Sequence, residues 1–143
     1  MADVFDRATR SRNMAAIRGR HTKPELVVRR YLHSRGLRYR LHCSSLPGRP
    51  DLVFRRLRTV VFVNGCFWHQ HAGCRFAVLP RSNAVFWRVK LRGNQLRDRR
   101  NAGRLRRAGW RVFTIWECDL SERSLARLFR AVTASSPPRR SRR

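Results

Sequence analysis

The run "TVVFV", residues 59 to 63, constrains this chain more than any other stretch. It is almost wholly apolar, with no polar alternation. A strand of that kind belongs in the middle of a sheet, with both faces covered. The preceding "DLVF" reads as a second strand, joined to it through the basic turn "RRLR". "LRYRLH" alternates like a short third strand, and the Gly- and Pro-dense "SSLPGRP" is the loop after it. "WRVFTIWE", from residue 110, completes the strands.

Helices surround these strands. In "HTKPELVVRRYLHSRGL", Thr22 and Glu25 have capping-box spacing and Pro24 falls in the first turn. Leu26, Val27, Tyr31 and Leu32 then recur at helical spacing, and Gly36 stops the helix. From Asn83 to Ala108 the pattern is helical, with Phe86, Val89, Leu96 and Leu105 apolar among arginines despite Gly93 and Gly103. Gly109 ends it. Ser121 caps a last helix, "ERSLARLFRAV". The order is helix, three strands, helix, strand, helix, which predicts an α/β sandwich around a mixed sheet. At 143 residues the chain reads as one folded domain over 21–134, with a basic arm at 1–20 and a disordered Arg-rich tail at 135–143.

Charge narrows the function. Lys and Arg number 34 against 8 Asp and Glu, giving +26, and only Lys23 and Lys90 are lysines. Such a charge calls for a polyanion, nucleic acid first, unless it reflects only a bias toward arginine. No run approaches the roughly 20 apolar residues of a membrane span, and the first twenty residues lack the apolar segment of a signal peptide. The expected setting is cytoplasmic and nucleoid-associated, where four cysteines serve as metal ligands or free thiols rather than disulfides.

The segment "NGCFWHQHAGC", residues 64 to 74, concentrates the chemistry. Cys66, His71 and Cys74, with Cys118 at the end of the last strand, offer the four N and S donors of a structural zinc site. Cys43 is left as a free thiol. Spacing does not decide whether His71 or His69 is the ligand; the other imidazole is a candidate acid or base. Asp51, after "GRP", is either a turn residue or a ligand for a divalent cation. Glu25 is explained by its cap, and Asp98, in "RDRR", most simply pairs with an arginine of its own helix. Phe67 with Trp68, and Phe86 with Trp87, are adjacent aromatics that cannot all face one core. Exposed ones on a basic protein suit wedging between bases, although core packing is the ordinary fate of an aromatic.

Taken together, "ADVFDRATRSRNMAAIRGR", "SLPGRPDLVF", "FVNGCFWHQHAGC", "FWRVKLRGNQLRDRR" and "GWRVFTIWEC" resemble the very short patch repair (Vsr) DNA mismatch endonuclease family over nearly all of the chain up to about residue 120. The resemblance implies a restriction-endonuclease-like three-layer fold with one structural Zn²⁺. It implies a Mg²⁺-dependent enzyme that nicks duplex DNA 5′ to the thymine of a T:G mismatch left by 5-methylcytosine deamination. It assigns Asp51 and the Val63 carbonyl to Mg²⁺, His69 and Glu25 to catalysis with Asp51, and Cys66, His71, Cys74 and Cys118 to zinc. It assigns Phe67, Trp68 and Trp87 to an aromatic wedge in the DNA. It also implies a monomer, with a functional link to a cytosine-5 methyltransferase and to mismatch-repair proteins. Related nucleases of this fold class carry an acidic residue and a lysine on the strand after the aspartate; here that strand ends "FVNG", with Asn64 where relatives have an acidic or histidine side chain. The competing readings are a non-catalytic nucleic-acid-binding protein with a structural zinc, and a nuclease of the same fold with another target.

Overall fold

The chain alternates helix and strand as its patterning predicts, in a computed structural model that describes residues 22–134. The basic arm expected at 1–20 and the tail expected at 135–143 lie outside the described residues. The elements are α1 (Lys23–Ser34), β1 (Arg40–Leu41), β2 (Leu52–Phe54), β3 (Thr59–Asn64), a 3₁₀ turn (Arg75–Ala77), α2 (Ala84–Arg107), β4 (Arg111–Trp116) and α3 (Glu122–Thr133). The sheet runs β1-β2-β3-β4, antiparallel at the first two pairings and parallel between β3 and β4. The "TVVFV" strand is therefore interior, paired along both edges. The strand expected over "LRYRLH" shrinks to two residues.

Period-two alternation sends neighbouring residues of one strand into different cores. Leu52, Phe54, Val61 and Ile115 face α1 and α3, where Val28, Leu32, Leu125, Leu128 and Val132 close over them. Val53 and Val60 face the opposite way and meet Leu105 of α2, with Trp110 and Val112 beside them. Helices thus cover both faces of the sheet. Burial of β3 is interrupted: Thr59, Val60, Val61 and Asn64 are buried, while Phe62 and Val63 are half-buried where the strand lines a cleft. Removing a fully buried leucine such as Leu105 would cost about 2–5 kcal/mol.

Two helices turn faces to the interior other than those their apolar residues suggest. On α1 the buried positions are Glu25, Val28 and Leu32, whereas Val27 is 42% exposed. Spacing of three and seven residues puts those three on one stripe, so the helix that packs Val28 and Leu32 also carries Glu25 inward. On α2, Val89 is 70% exposed and Phe86 and Leu96 are exposed as well; the buried positions are Leu91 and Leu105. Asp98 lies midway between them at heptad spacing, on the same inner face. Thr22 caps α1, its hydroxyl accepting weakly from the Glu25 N–H at 3.5 Å. Ser121 caps α3, accepting from the Ser124 N–H at 3.2 Å.

Candidate active site

The open ends of β2 and β3, the start of α1 and the inner face of α2 enclose a cleft of about 930 Å³. Glu25, Asp51, Val63, His69 and Asp98 line it, with Lys90, Arg97 and Arg106 supplying positive charge. One wall is the loop before β2. Gly48 there has a left-handed φ of +75°, and a Cβ at that position would meet the Asn101 side chain of α2 at 3.1 Å. Glycine lets the loop close against the helix.

Asp51 and Glu25 meet on the sheet side of this cleft. An Asp51 carboxylate oxygen accepts the Val63 backbone N–H at 2.7 Å. That contact fixes the side chain against β3 through the backbone N–H of Val63. Burial pushes the Asp51 carboxyl up to about 6; the Val63 hydrogen bond works against this, and the neighbouring Glu25 carboxyl adds to the rise. For Glu25, burial acts upward, but hydrogen bonds from His42, Asp51 and Arg29 and the charge of His42 prevail and hold its pKa below the usual value. The Glu25 carboxylate accepts from His42 Nε2 at 2.5 Å and from Arg29 at 3.3 Å. Its role thus extends beyond the helix cap. The chemistry of the set, two crowded carboxylates on an open cleft, fits a hard divalent cation.

His69 enters from the loop after β3. Its Nδ1–H donates to Asp98 at 2.7 Å, which leaves Nε2 for other work on the cleft. A carboxylate on Nδ1 fixes both tautomer and ring orientation. Asp98 therefore pairs with this imidazole rather than with the arginines of its own helix that its sequence context suggests. The loop is further tied to α2 by Asn94, whose side-chain amide donates to the Trp68 carbonyl at 3.0 Å.

The thiols gather on the far side of the same loop. Sγ of Cys66, Cys74 and Cys118 and a ring nitrogen of His71 all lie within 4.8 Å of one another. His71 Nδ1 faces the sulfurs, 3.7 Å from Cys66 and 3.4 Å from Cys118. Its ring stacks on Trp116 of β4 at 4.1 Å between centroids, with a 7° tilt. His71, not His69, therefore joins this cluster, a choice that spacing leaves open. Burial, with the neighbouring thiols adding to it, pushes the Cys66 thiol up to about 12. Three sulfurs and one imidazole are a complete tetrahedral donor set for zinc, and such a cation would hold the thiols as thiolates. Cys43 stands apart, half-buried, in contact with Ser45 at 3.1 Å.

The aromatics form one cluster. Phe67 meets Trp68 and Trp87 at 5.2 and 5.5 Å between centroids, and the two tryptophans are 5.9 Å apart, all edge to face. All three are half-buried, which fits neither a sealed core nor free side chains. Phe86 extends the cluster through Trp87 and is exposed.

His42 is the site residue that the sequence reading passed over. Arg40 pairs with Val53 and Leu41 with Leu52, so the next step of that register sets His42 opposite Asp51, a placement that only the sheet pairing reveals. The heptad from Leu91 through Asp98 to Leu105 puts Asp98 on the inner face of α2, but the imidazole it meets comes from the tertiary structure.

Comparison with known proteins gives this constellation a family. Residues 2–75 match the family model described as DNA mismatch endonuclease Vsr. The chain is 47% identical over 123 residues to the DNA mismatch endonuclease Vsr of Escherichia coli, covering 86% of this chain and 78% of that one. It is 46% identical over 122 residues to the type II nicking enzyme V.XorIIP of Xanthomonas oryzae pv. oryzae, covering 85% and 89%. A further relative, the type II nicking enzyme V.NmeAIP of Neisseria meningitidis, is 39% identical over 89% of this chain and 90% of its own length. A cleft bearing acids and a histidine, a four-donor thiol cluster, and relatives named as endonucleases and nicking enzymes agree, and the chain belongs to the Vsr DNA mismatch endonuclease family.

Proposed function

We propose that this protein nicks duplex DNA on the 5′ side of the thymine in a T:G mismatch, using Mg²⁺ in the cleft and keeping Zn²⁺ as a structural ion. The observation that carries the reading is that Asp51, Glu25 and the His69–Asp98 pair line one cleft beside an aromatic cluster, on a chain of net charge +26. The parent fold on this reading is restriction-endonuclease-like, in keeping with a mixed sheet covered on both faces.

Each residue then has a task. Asp51 and the Val63 carbonyl would hold the Mg²⁺. When bound, that ion offsets charge on the scissile phosphate and lowers the pKa of bound water. Glu25, kept ionised by its partners, would join Asp51 in holding the cation with one oxygen, and accepts a hydrogen bond from the attacking water with the other. His69 moves a proton at Nε2 while Asp98 steadies Nδ1. Phe67, Trp68 and Trp87 enter the stack, where unstacking costs least at a mismatched pair. Cys66, His71, Cys74 and Cys118 fix the loop that carries both the wedge and His69, so less ordering remains to be done on binding. The basic arm and tail add affinity for phosphates without sequence preference.

The test is strand-specific cleavage of end-labelled T:G and matched T:A duplexes, each with Mg²⁺ and with chelator. A nick 5′ to the mismatched thymine, dependent on Mg²⁺, is the expected result. Equal cleavage of matched DNA would reassign the target, and binding without cleavage would make the chain a DNA-binding protein only.

A further inference from the structure

His42 stands in the active-site cluster by construction of the sheet. Its backbone N–H donates to the Asp51 carbonyl at 3.2 Å, continuing the β1–β2 register by one pair. Its own φ is +46°, a left-handed conformation that a residue with a Cβ adopts only where its surroundings impose it. The side chain is 9% exposed, and Nε2 lies 2.5 Å from a Glu25 oxygen whose residue is itself buried. Ligand atoms of Glu25, His42 and Asp51 all fall within 4.8 Å of one another.

Two roles compete for this imidazole: a ligand of the cation, or a group acting on Glu25. Two adjacent ligands of an octahedral Mg²⁺, each about 2.1 Å from the ion, sit about 3 Å apart. The His42–Glu25 separation is shorter and is that of a charge-assisted hydrogen bond. We propose that His42 is a positioning residue of the nicking reaction: its Nε2–H aims the Glu25 carboxylate while its backbone holds Asp51, so that α1 and β2 present their two carboxylates to one divalent cation. This rests on the nicking activity proposed above. The strained backbone of His42 and its cross-strand bond to Asp51 make the placement rigid before cation or DNA arrives.

Two variants test it on the full chain. His42→Leu keeps volume and removes the donor; His42→Gln keeps an N–H that can reach Glu25. Mn²⁺ binding to the free protein is read by electron paramagnetic resonance and Mg²⁺ binding by competition. Single-turnover nicking of a T:G duplex, duplex Kd in chelator and melting temperature complete the set. His42→Leu is expected to lose roughly 10–100-fold in affinity for both cations and in nicking rate, with duplex Kd unchanged. His42→Gln is expected to recover most of both losses. Wild-type cation affinity in His42→Leu overturns the proposal, as does no recovery in His42→Gln. A loss of Mn²⁺ affinity much larger than that of Mg²⁺ also overturns it, by making His42 a ligand. Should His42→Leu not fold, His42→Asn, whose shorter amide falls short of Glu25, replaces it. Cation binding is measured without DNA, so a wild-type protein that bound Mn²⁺ but did not nick T:G duplexes would sink the proposed function and leave this measurement standing.

Discussion

Two clusters of metal-capable side chains, one drawn mostly from the loop after β3 and one from the segments around α1, β1 and β2, are built by different means. The first takes Cys66, His71 and Cys74 from nine consecutive residues and adds Cys118 just after β4. Its donors are soft, four in number and turned toward one another, so a bound cation would have no open position. The second takes Glu25 from α1, His42 from beyond β1 and Asp51 from before β2. Its hard oxygens, from Glu25 and Asp51, face a cleft where water and phosphate can complete a coordination shell. A closed local cluster stabilises a loop; an open cluster assembled across elements can do chemistry. Within each cluster the fold splits the acidities: burial raises the Cys66 thiol and the Asp51 carboxyl, whereas hydrogen bonds outweigh burial at Cys74, from Phe76 and the neighbouring thiols, and at Glu25, from His42, Asp51 and Arg29.

The sharpest way to break this comparison is at Asp51. On the proposed reading Asp51→Asn should lower nicking on the order of 10³-fold or more, because the cation supplies several kcal/mol of stabilisation in the transition state. Duplex affinity in chelator should stay equal or tighten, since a negative charge facing DNA is removed. The same change should stabilise the metal-free fold. The Asp51 carboxyl titrates near 6 when folded, against an ordinary 3.8. Between those values the unfolded chain has released the proton and the folded one retains it, so stability falls as pH rises and the deficit is complete above about 6. It amounts to at most about 3 kcal/mol. Melting curves in chelator should therefore show Asp51→Asn above wild type at pH 8, with the gap closing by about pH 4. An active variant would remove Asp51 from the cation.

The closed cluster should answer oppositely. Cys118→Ser should lower zinc content and melting temperature together, by a few kcal/mol of stability, because binding a structural zinc is part of the folding free energy. Mg²⁺ affinity should change little in protein that remains folded. Full zinc retention, measured by elemental analysis, would take Cys118 out of the site.

Acidity should separate the clusters next. Protons and Mg²⁺ compete for Asp51, so the Mg²⁺ concentration giving half-maximal nicking should rise as pH falls below about 6. The rise should be roughly tenfold by pH 5. A flat Mg²⁺ requirement across that range would show that Asp51 is not the group displaced.

An effect of similar size is expected for Trp68, which shares the loop with Cys66, His71 and Cys74. Trp68→Ala should lower the ratio of T:G to T:A cleavage by roughly 1–3 kcal/mol, the scale of stacking on a base. A large fall in melting temperature with an unchanged ratio would return Trp68 to a purely structural role in the Phe67–Trp68–Trp87 cluster.

How far the sequence reaches depends on the distance over which each feature is encoded. The strand "TVVFV", the caps at Thr22 and Ser121, and the grouping of Cys66, His71 and Cys74 rest on neighbours within a few positions, and they are legible without coordinates. The stripe that carries Glu25 inward with Val28 and Leu32 was also within reach, although the more apolar Val27 beside it points to solvent. Tertiary structure decided what spacing leaves degenerate. His71 rather than His69 meets the thiols because Trp116 of a distant strand stacks on its ring. His69 instead meets Asp98 because α2 packs Leu91 and Leu105 against the rest of the fold and carries the residue between them to the cleft. His42 becomes a partner of Asp51 only when β1 and β2 pair in their particular register. Periodicity along one element is a property of the chain alone. Which periodic face meets which is set by burial summed over the whole molecule, and that is where the site is made.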